Sequence, residues 1–270
     1  MRTILHISDL HFGMLDAAIL RPLREAAVQV RPDLTVVTGD LTQRARGWQF
    51  KEAARFLESI PGPRLVVPGN HDVPLYNVAA RFAAPLWGYK RHINPDPEPV
   101  YEDEEMVVLG LNSSRSLTIQ DGRLNEEQIA RMQSVFCGAG GERVRVLASH
   151  HPFVVTEESD KEPIENAAEA LRAMSACRVD AALTGHLHTS WTHCRAVHSE
   201  LEGRQEWGTV LIQAGTVSMR ARGEAGAFNV VRIERERMSI DRYLWNADGN
   251  SFAASLAETF VKGEHGWVCG

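Results

Sequence analysis

The sequence lacks the features that mark secreted, membrane-spanning or basic nucleic-acid-binding proteins. Its 270 residues include only four cysteines, without regular spacing or a Cys-x-x-Cys pair, and this usage is typical of reduced thiols in a cytoplasmic protein. No apolar run approaches the roughly 18 residues of a membrane span. The net charge of −6 argues against a basic nucleic-acid-binding surface. Met1 leads directly into an apolar run, so we expect no signal peptide. The lack of an apolar span and the negative net charge lead us to expect no membrane partner and no nucleic-acid partner.

The composition favours one large α/β domain covering residues 1–270. Hydrophobic residues make up 44% of the chain, enough to bury a sizeable core. The first third alternates short apolar β runs with amphipathic helices, which predicts a βαβαβ unit and a largely parallel sheet. The predicted strands are 4–7, 34–38 and 64–68, and the predicted helices are 16–31, which Pro22 should break or kink, and 48–59.

The alternation resumes after a loose segment and then stops. Residues 73–105 contain a helical pattern over 76–89 interrupted at Pro85, followed by a proline-rich loop, and we predict a lid or cap beside the site. Beyond Ser190 the pattern predicts antiparallel strands, and from about residue 246 a tail with a short helix at Phe252–Val261. The predicted strands of this part are 106–111, 144–148, 180–184, 191–197, 208–214, 227–233 and 238–244, and the predicted helices are 125–136 and 164–177.

Polar side chains follow five of the predicted strands at the point where each strand ends. Because the carboxyl ends of parallel strands share one edge of a sheet, these side chains should converge. Imidazole, carboxylate and amide ligands suit Mn, Fe, Zn, Co or Ni. The five groups are Asp9 with His11, Asp40, Asn70 with His71 and Asp72, His150 with His151, and His186 with His188.

This ligand set indicates two metal ions rather than one. Two cations about 3.5–4 Å apart that share a carboxylate can hold a hydroxide and clamp the oxygens of an in-line phosphoryl displacement. Asp40 is alone at the end of its strand and is the natural bridging carboxylate. Mn and Fe are the metals that we expect first.

The ordered motifs DLH, GD, GNHD, HHP and GHLH resemble those of the calcineurin-like metallophosphoesterase superfamily. The resemblance covers residues 4–188, and no motif is missing. The ISDLHFG opening and the GNHDVP turn are most similar to bacterial class III cyclic-nucleotide phosphodiesterases and their broad-specificity relatives. The resemblance implies a four-layer α/β/β/α sandwich, in which two mixed sheets are flanked by helices.

The resemblance also implies a role for each motif residue. One metal would be held by Asp9, His11, Asp40 and His188, and the other by Asp40, Asn70, His150 and His186. In the GNHD motif, His71 would meet the phosphate and assist the leaving group, while Asp72 would orient His71 by a hydrogen bond.

Two residues beside this set have two interpretations each. The resemblance implies that His150 is the metal ligand of the HHP motif. His151 therefore either contacts the ligands without binding metal or contacts substrate. Asn112 ends a strand at the same edge, where it either contacts substrate or caps the following turn.

We therefore predict a dinuclear metal-dependent phosphodiesterase in which a metal-bridging hydroxide attacks phosphorus in line. The expected substrate is a small phosphodiester, with 3′,5′-cyclic nucleotides first and glycero- or aryl diesters second. A sugar-nucleotide pyrophosphatase ranks lower, because the sequence shows no evident basic-apolar patch for a lipid substrate. A catalytically silent scaffold is the non-enzymatic alternative, but such a protein should have lost ligands. Edge strands near the C-terminus predict a homodimer.

Overall fold

The structure is a computed structural model, which describes residues 1–140, 143–156, 159–196, 207–218 and 226–270. The helices and strands follow the predicted order closely. Asp16 caps the first helix by accepting a hydrogen bond from Ala18 N, and this helix continues unbroken past Pro22. The helices are α1 (Ala17–Val30), α2 (Gly47–Ser59), α3 (Val78–Ala83), α4 (Trp87–His92), α5 (Glu126–Gly138) and α6 (Ala167–Ala176), with a 3-10 turn at Asn70–Asp72.

Within the described ranges the strands form one hydrogen-bonded ladder. The strands are β1 (Arg2–Ile7), β2 (Leu34–Thr38), β3 (Arg64–Val67), β4 (Val100–Glu102), β5 (Met106–Leu111), β6 (Val144–Ser149), β7 (Ala181–Thr184), β8 (Trp191–Ala196), β9 (Gly208–Gln213), β10 (Ala227–Ile233), β11 (Arg237–Asn246), β12 (Ser251–Gly263) and β13 (Gly266–Cys269). Their order is β3-β2-β1-β10-β11-β12-β13-β9-β7-β6-β5-β4, and β8 pairs with β9.

The ladder folds into two mixed halves that pack face to face. Between them lies an apolar layer in which Ile4 and Val36 of the first half meet Val146 and Leu183 of the second. A second layer packs α1 and α2 on the outer face of the first half, and a third packs α5 and α6 on the other outer face. The predicted α/β/β/α architecture is therefore confirmed.

Parallel pairing brings the motif-bearing strand ends to the same edge. In the first half β1, β2 and β3 are parallel, and in the second half β5, β6, β7 and β9 are parallel. The later strands β8, β10 and β11 pair antiparallel as predicted, whereas β9 is parallel to β7. The predicted end of one strand, Val197, lies outside the described residues.

Two sequence-based predictions are wrong. Residues Phe252–Val261 belong to β12 rather than to a helix, because their nine backbone pairings with β11 outweigh the helical composition of this alanine-rich segment. The expected tail from about residue 246 therefore pairs within the sheet. The prediction of four free thiols fails as well, since Cys137 at the end of α5 and Cys177 after α6 form a disulfide; Cys269 is free and exposed.

Candidate metal centre

The candidate site lies at the carboxyl edge of both halves of the sheet, where the chain leaves β1, β2 and β7 in a strained backbone conformation. Left-handed φ angles, between 46° and 76°, occur at five predicted ligands. Such conformations cost non-glycine residues about 1–3 kcal/mol each and persist where the surroundings enforce them, often at functional sites. The five ligands are Asp9, His11, Asp40, His186 and His188.

The first group of side chains joins the end of β1 to the loop after β7. The Nε2 atoms of His11 and His188 lie 3.2 Å apart, and Asp9 Oδ1 lies 3.1 Å from His188 Nε2. With Asp40, these residues place four ligand atoms within 4.8 Å of one another, all buried. The four residues are those that the motifs assign to one metal.

The second group joins β3 to the ends of β6 and β7. His150 Nε2 lies 3.1 Å from Asn70 Oδ1 and 3.2 Å from His186 Nδ1. The two oxygens of Asp40 face the two groups separately. Its Oδ2 lies 3.6 Å from His11 Nε2, and its Oδ1 lies 3.5 Å from His150 Nε2. One carboxylate therefore faces both groups of candidate ligands.

Two glycines let the strand ends approach this closely. A Cβ on Gly69 would lie 2.2 Å from both the backbone nitrogen and Oδ1 of Asp40, and a Cβ on Gly185 would lie 1.8 Å from Ser8 Oγ. No side chain fits at such distances. Hydrogen bonds then join the two halves of the sheet: His186 N donates to Asp9 Oδ2 over 2.9 Å, and His150 Nδ1 lies 2.7 Å from the Thr38 carbonyl oxygen.

For Asp72 and His71 the structure shows contacts other than the orienting hydrogen bond predicted between them, and that role stays a prediction. The ring Nδ1 of His71 lies 3.0 Å from the carbonyl oxygen of Gln43, and this carbonyl can only accept. The Asp72 carboxylate instead accepts hydrogen bonds from the backbone nitrogens of Leu41, Thr42 and Gly69. The 3-10 turn directs it back toward the loop after β2. Asp72 thus holds this loop, and Gln43 fixes the tautomer of His71.

His151 and Asn112 lie beside the site in supporting positions. His151 is in reach of His150 and His186, but its Nδ1 bonds Ser113 Oγ over 2.8 Å and its Nε2 bonds the Gln120 carbonyl over 2.9 Å. Both ring nitrogens therefore contact protein groups, which favours the supporting role, and a substrate contact of His151 stays a prediction. Asn112 caps its turn, because its Oδ1 accepts from Ser114 N.

The charges of the site suit cation binding. Burial opposes ionisation of Asp9, but the neighbouring imidazoles of His11 and His188 hold its pKa well below the ordinary value. For His186, burial and then the neighbouring His151 lower the pKa, so its imidazole is neutral. Burial also works against protonation of His150, yet Asp40 raises its pKa to about 9, so a cation binding there must displace a proton.

The donor set fits a pair of transition-metal ions. Asp9 Oδ1 is buried and accepts no well-aligned hydrogen bond among the described residues, although His188 Nε2 lies 3.1 Å away, and a cation would stabilise a buried carboxylate oxygen in this position. Imidazole nitrogens face one another in both groups at 3.2 Å. Carboxylate, imidazole and amide ligands are those expected for Mn, Fe or Zn.

Two further side chains at the site carry no signal in the sequence. Lys161, in the loop after β6, donates to the carbonyl oxygen of His186 over 2.7 Å, and its Nζ lies 3.2 Å from His186 Nε2. Thr216 Oγ1 also donates to the Asp9 carbonyl over 2.7 Å. Neither residue follows a recognisable motif, so only the folded chain brings them to the ligands.

Comparison with known proteins assigns the class. The model of the calcineurin-like phosphoesterase family matches residues 2–190, and the chain belongs to this family. It is 26% identical over 211 residues to the 3′,5′-cyclic adenosine monophosphate phosphodiesterase CpdA of Escherichia coli, covering 74% of this chain and 70% of that protein. It is 28% identical over 178 residues to the glycerophosphodiester phosphodiesterase GpdQ of Enterobacter lignolyticus, covering 59% and 60%.

The structural likeness agrees with the family. The purple acid phosphatase PPD1 of yellow lupin superposes with a TM-score of 0.67 at 12% identity, covering 95% of this chain and 53% of that one. The chain is thus a metal-dependent phosphoric ester hydrolase by family, and both of these curated relatives are named phosphodiesterases. The predicted class of phosphoric diester hydrolase is confirmed. No helix in the described ranges is long and apolar enough to cross a membrane.

Proposed function

We propose that this protein hydrolyses small phosphodiesters at two metal ions that share Asp40. The observation that carries the proposal is the position of the Asp40 carboxylate, with one oxygen toward His11 and the other toward His150. One ion would be held by Asp9, His11, Asp40 and His188, and the other by Asp40, Asn70, His150 and His186. When bound, the pair would activate water for in-line attack and neutralise charge on the phosphoryl oxygens.

His71 is the residue that we assign to the leaving group. Its ring centroid lies 4.8 Å from that of His11, so it borders the first ligand group. Since Nδ1 donates a hydrogen bond to the carbonyl oxygen of Gln43, the proton for the departing oxygen would be the one on Nε2 of the doubly protonated His71, which then returns to the neutral form with its proton on Nδ1. The backbone nitrogen of His71 donates to Asp40 Oδ1 over 2.8 Å, which ties the position of the ring to the shared carboxylate.

The similarity to CpdA supports 3′,5′-cyclic nucleotides as the first candidate substrates. The similarity to GpdQ supports glycerophosphodiesters as the second. Retention of every motif histidine and aspartate argues against a catalytically silent scaffold. The homodimer and the lid role of residues 73–105 stay predictions, as does the cytoplasmic location.

The test is hydrolysis of cyclic AMP, bis(p-nitrophenyl) phosphate and p-nitrophenyl phosphate by the Mn²⁺-loaded protein, with His71→Ala alongside. We expect both diesters to be hydrolysed faster than the monoester. His71→Ala should bind metal normally and lose activity by about 100-fold, the lower end of the usual contribution of a general acid. Absence of turnover in a protein that holds two ions would contradict the proposal. Full activity of His71→Ala would contradict only the role of that residue.

A further inference from the structure

Large apolar side chains are exposed on two short segments beside the candidate site. Among the described residues, eight large apolar side chains are more than half exposed, and six of these lie within residues 76–87 and 117–119. Isolated exposed apolar residues are normal on a protein surface, whereas a concentration of them marks a binding surface. We call this set the apolar rim: Tyr76, Val78, Phe82, Trp87, Leu117 and Ile119.

One buried arginine holds the two segments together. Arg81 lies on α3 between Val78 and Phe82, which are four residues apart and so share one face of the helix. Its guanidinium donates to the carbonyl oxygens of Ser116, over 2.7 Å, and of Thr118 on the other segment. Helix α3 and residues 116–118 therefore lie side by side.

The rim is continuous with the candidate metal centre. Asn70 Nδ2 donates to the carbonyl oxygen of Ile119 over 3.0 Å, and Asn70 is a predicted ligand. On the other side, the Arg44 guanidinium lies over the ring of Tyr76 at 5.4 Å. Arg44 follows Gln43, whose carbonyl fixes His71. Apolar surface thus borders the Asn70–His71 turn from both sides.

Positive charge accompanies the apolar surface. Besides Arg44 on Tyr76, the Arg91 guanidinium lies over the ring of Trp87 at 5.2 Å. A surface that combines apolar side chains with cations beside a metal centre complements a ligand that combines an anion with an apolar group. A phosphodiester with an alkyl or aryl substituent is such a ligand. The rim also supplies the basic-apolar patch that was not evident from the sequence.

We propose that the apolar rim binds an apolar substituent of the phosphodiester, so that a diester carrying an alkyl or aryl group binds more tightly than the same diester without it. This inference rests on the proposed function, because it assumes that the phosphoryl group binds at the metal centre. Each methylene that leaves water on full burial strengthens binding about fourfold. On a rim that is open to solvent on one side, each methylene should gain about half of that free energy. The affinity should therefore rise about twofold per methylene.

Binding of alkyl phosphates tests the inference without requiring turnover. Calorimetric titration of the Mn²⁺-loaded protein with methyl phosphate and with hexyl phosphate should show about 30-fold tighter binding of the hexyl compound. The double variant Phe82→Ser/Ile119→Ser should reduce this preference to about fivefold while binding methyl phosphate normally. The matched control Val28→Ser/Val268→Ser removes two exposed apolar side chains from α1 and β13 and should keep the full preference.

Equal affinity for the two phosphates in the wild-type protein would overturn the inference. So would an equal loss of affinity for both phosphates in the rim variant, because the rim would then only shape the site. Hydrolysis of methyl and hexyl p-nitrophenyl phosphate by the same proteins separates the two proposals. Turnover without dependence on chain length contradicts the rim alone, whereas chain-dependent binding without turnover contradicts the proposed function alone.

Discussion

Replacing Gly69 by alanine should disable the candidate metal centre although Gly69 is not a predicted ligand. The φ angle of Gly69 is −105°, which alanine adopts without strain. The effect is therefore purely steric. The new Cβ would lie 2.2 Å from Asp40 N and 2.2 Å from Asp40 Oδ1, whereas ordinary contacts begin at 3.4 Å.

The neighbours of Gly69 cannot move away without a substantial cost in folding free energy. Asp40 Oδ1 is held by the backbone nitrogen of His71 over 2.8 Å, and Gly69 N donates to Asp72 Oδ2 over 2.9 Å. Separation of the two segments by about 1 Å should cost about 3 kcal/mol, the upper part of the range for overpacking. A displacement of this size in a positioning group reduces turnover by about 100-fold. Because Asp40 serves both ligand groups, both metal sites should weaken.

Urea unfolding, metal titration and diester hydrolysis measure these effects separately. Gly138→Ala is the matched control, because a Cβ at the end of α5 meets nothing within 4 Å, and it should stabilise the protein by about 0.4–1 kcal/mol. Gly69→Ala with wild-type stability and two tightly bound ions would refute the close packing on which the site depends.

Three further perturbations test other parts of the account. Asp40→Asn should abolish binding of at least one metal ion, measured by elemental analysis after gel filtration; two retained ions would contradict the shared position. Arg81→Met should cost about 3 kcal/mol in urea unfolding and raise KM, because it leaves several half-buried carbonyl groups unpaired; unchanged stability would show that these carbonyls find other partners. Burial lowers the pKa of His6 to about 3, so the folded state binds fewer protons than the unfolded chain and stability falls as pH drops below about 6.5. Between about pH 7.5 and about pH 5 this residue should account for about 2 kcal/mol, and His6→Gln should lose that part of the pH dependence; identical pH profiles of the two proteins would contradict it.

The sequence predicts the first parallel unit and the candidate ligands well, because both depend on local patterns. Short apolar runs identify β1, β2 and β3, and the motif at the end of each run fixes which side chains reach the sheet edge. The convergence of Asp9 and Asp40 then follows from parallel pairing, whereas His186 reaches them because the two halves of the sheet pack face to face. No fine detail of the loops is needed for it.

Contacts between distant segments are what the sequence does not reveal. The pairing of β10 with β1 joins residues more than 220 positions apart, and hydrophobic periodicity contains no information about such partners. Residues 252–261 have a helical composition, yet pairing with β11 decides their structure. The His71 ring contacts the backbone carbonyl of Gln43, and no residue type in the GNHD motif predicts this contact. The same applies to Lys161 beside His186.

The most direct test of the account is an anomalous diffraction experiment on crystals grown with Mn²⁺. The account predicts two anomalous peaks on opposite sides of the Asp40 carboxylate, about 3.5–4 Å apart. One peak should contact Asp9, His11 and His188, and the other should contact Asn70, His150 and His186. A single peak, or two peaks that do not share Asp40, would contradict the central claim.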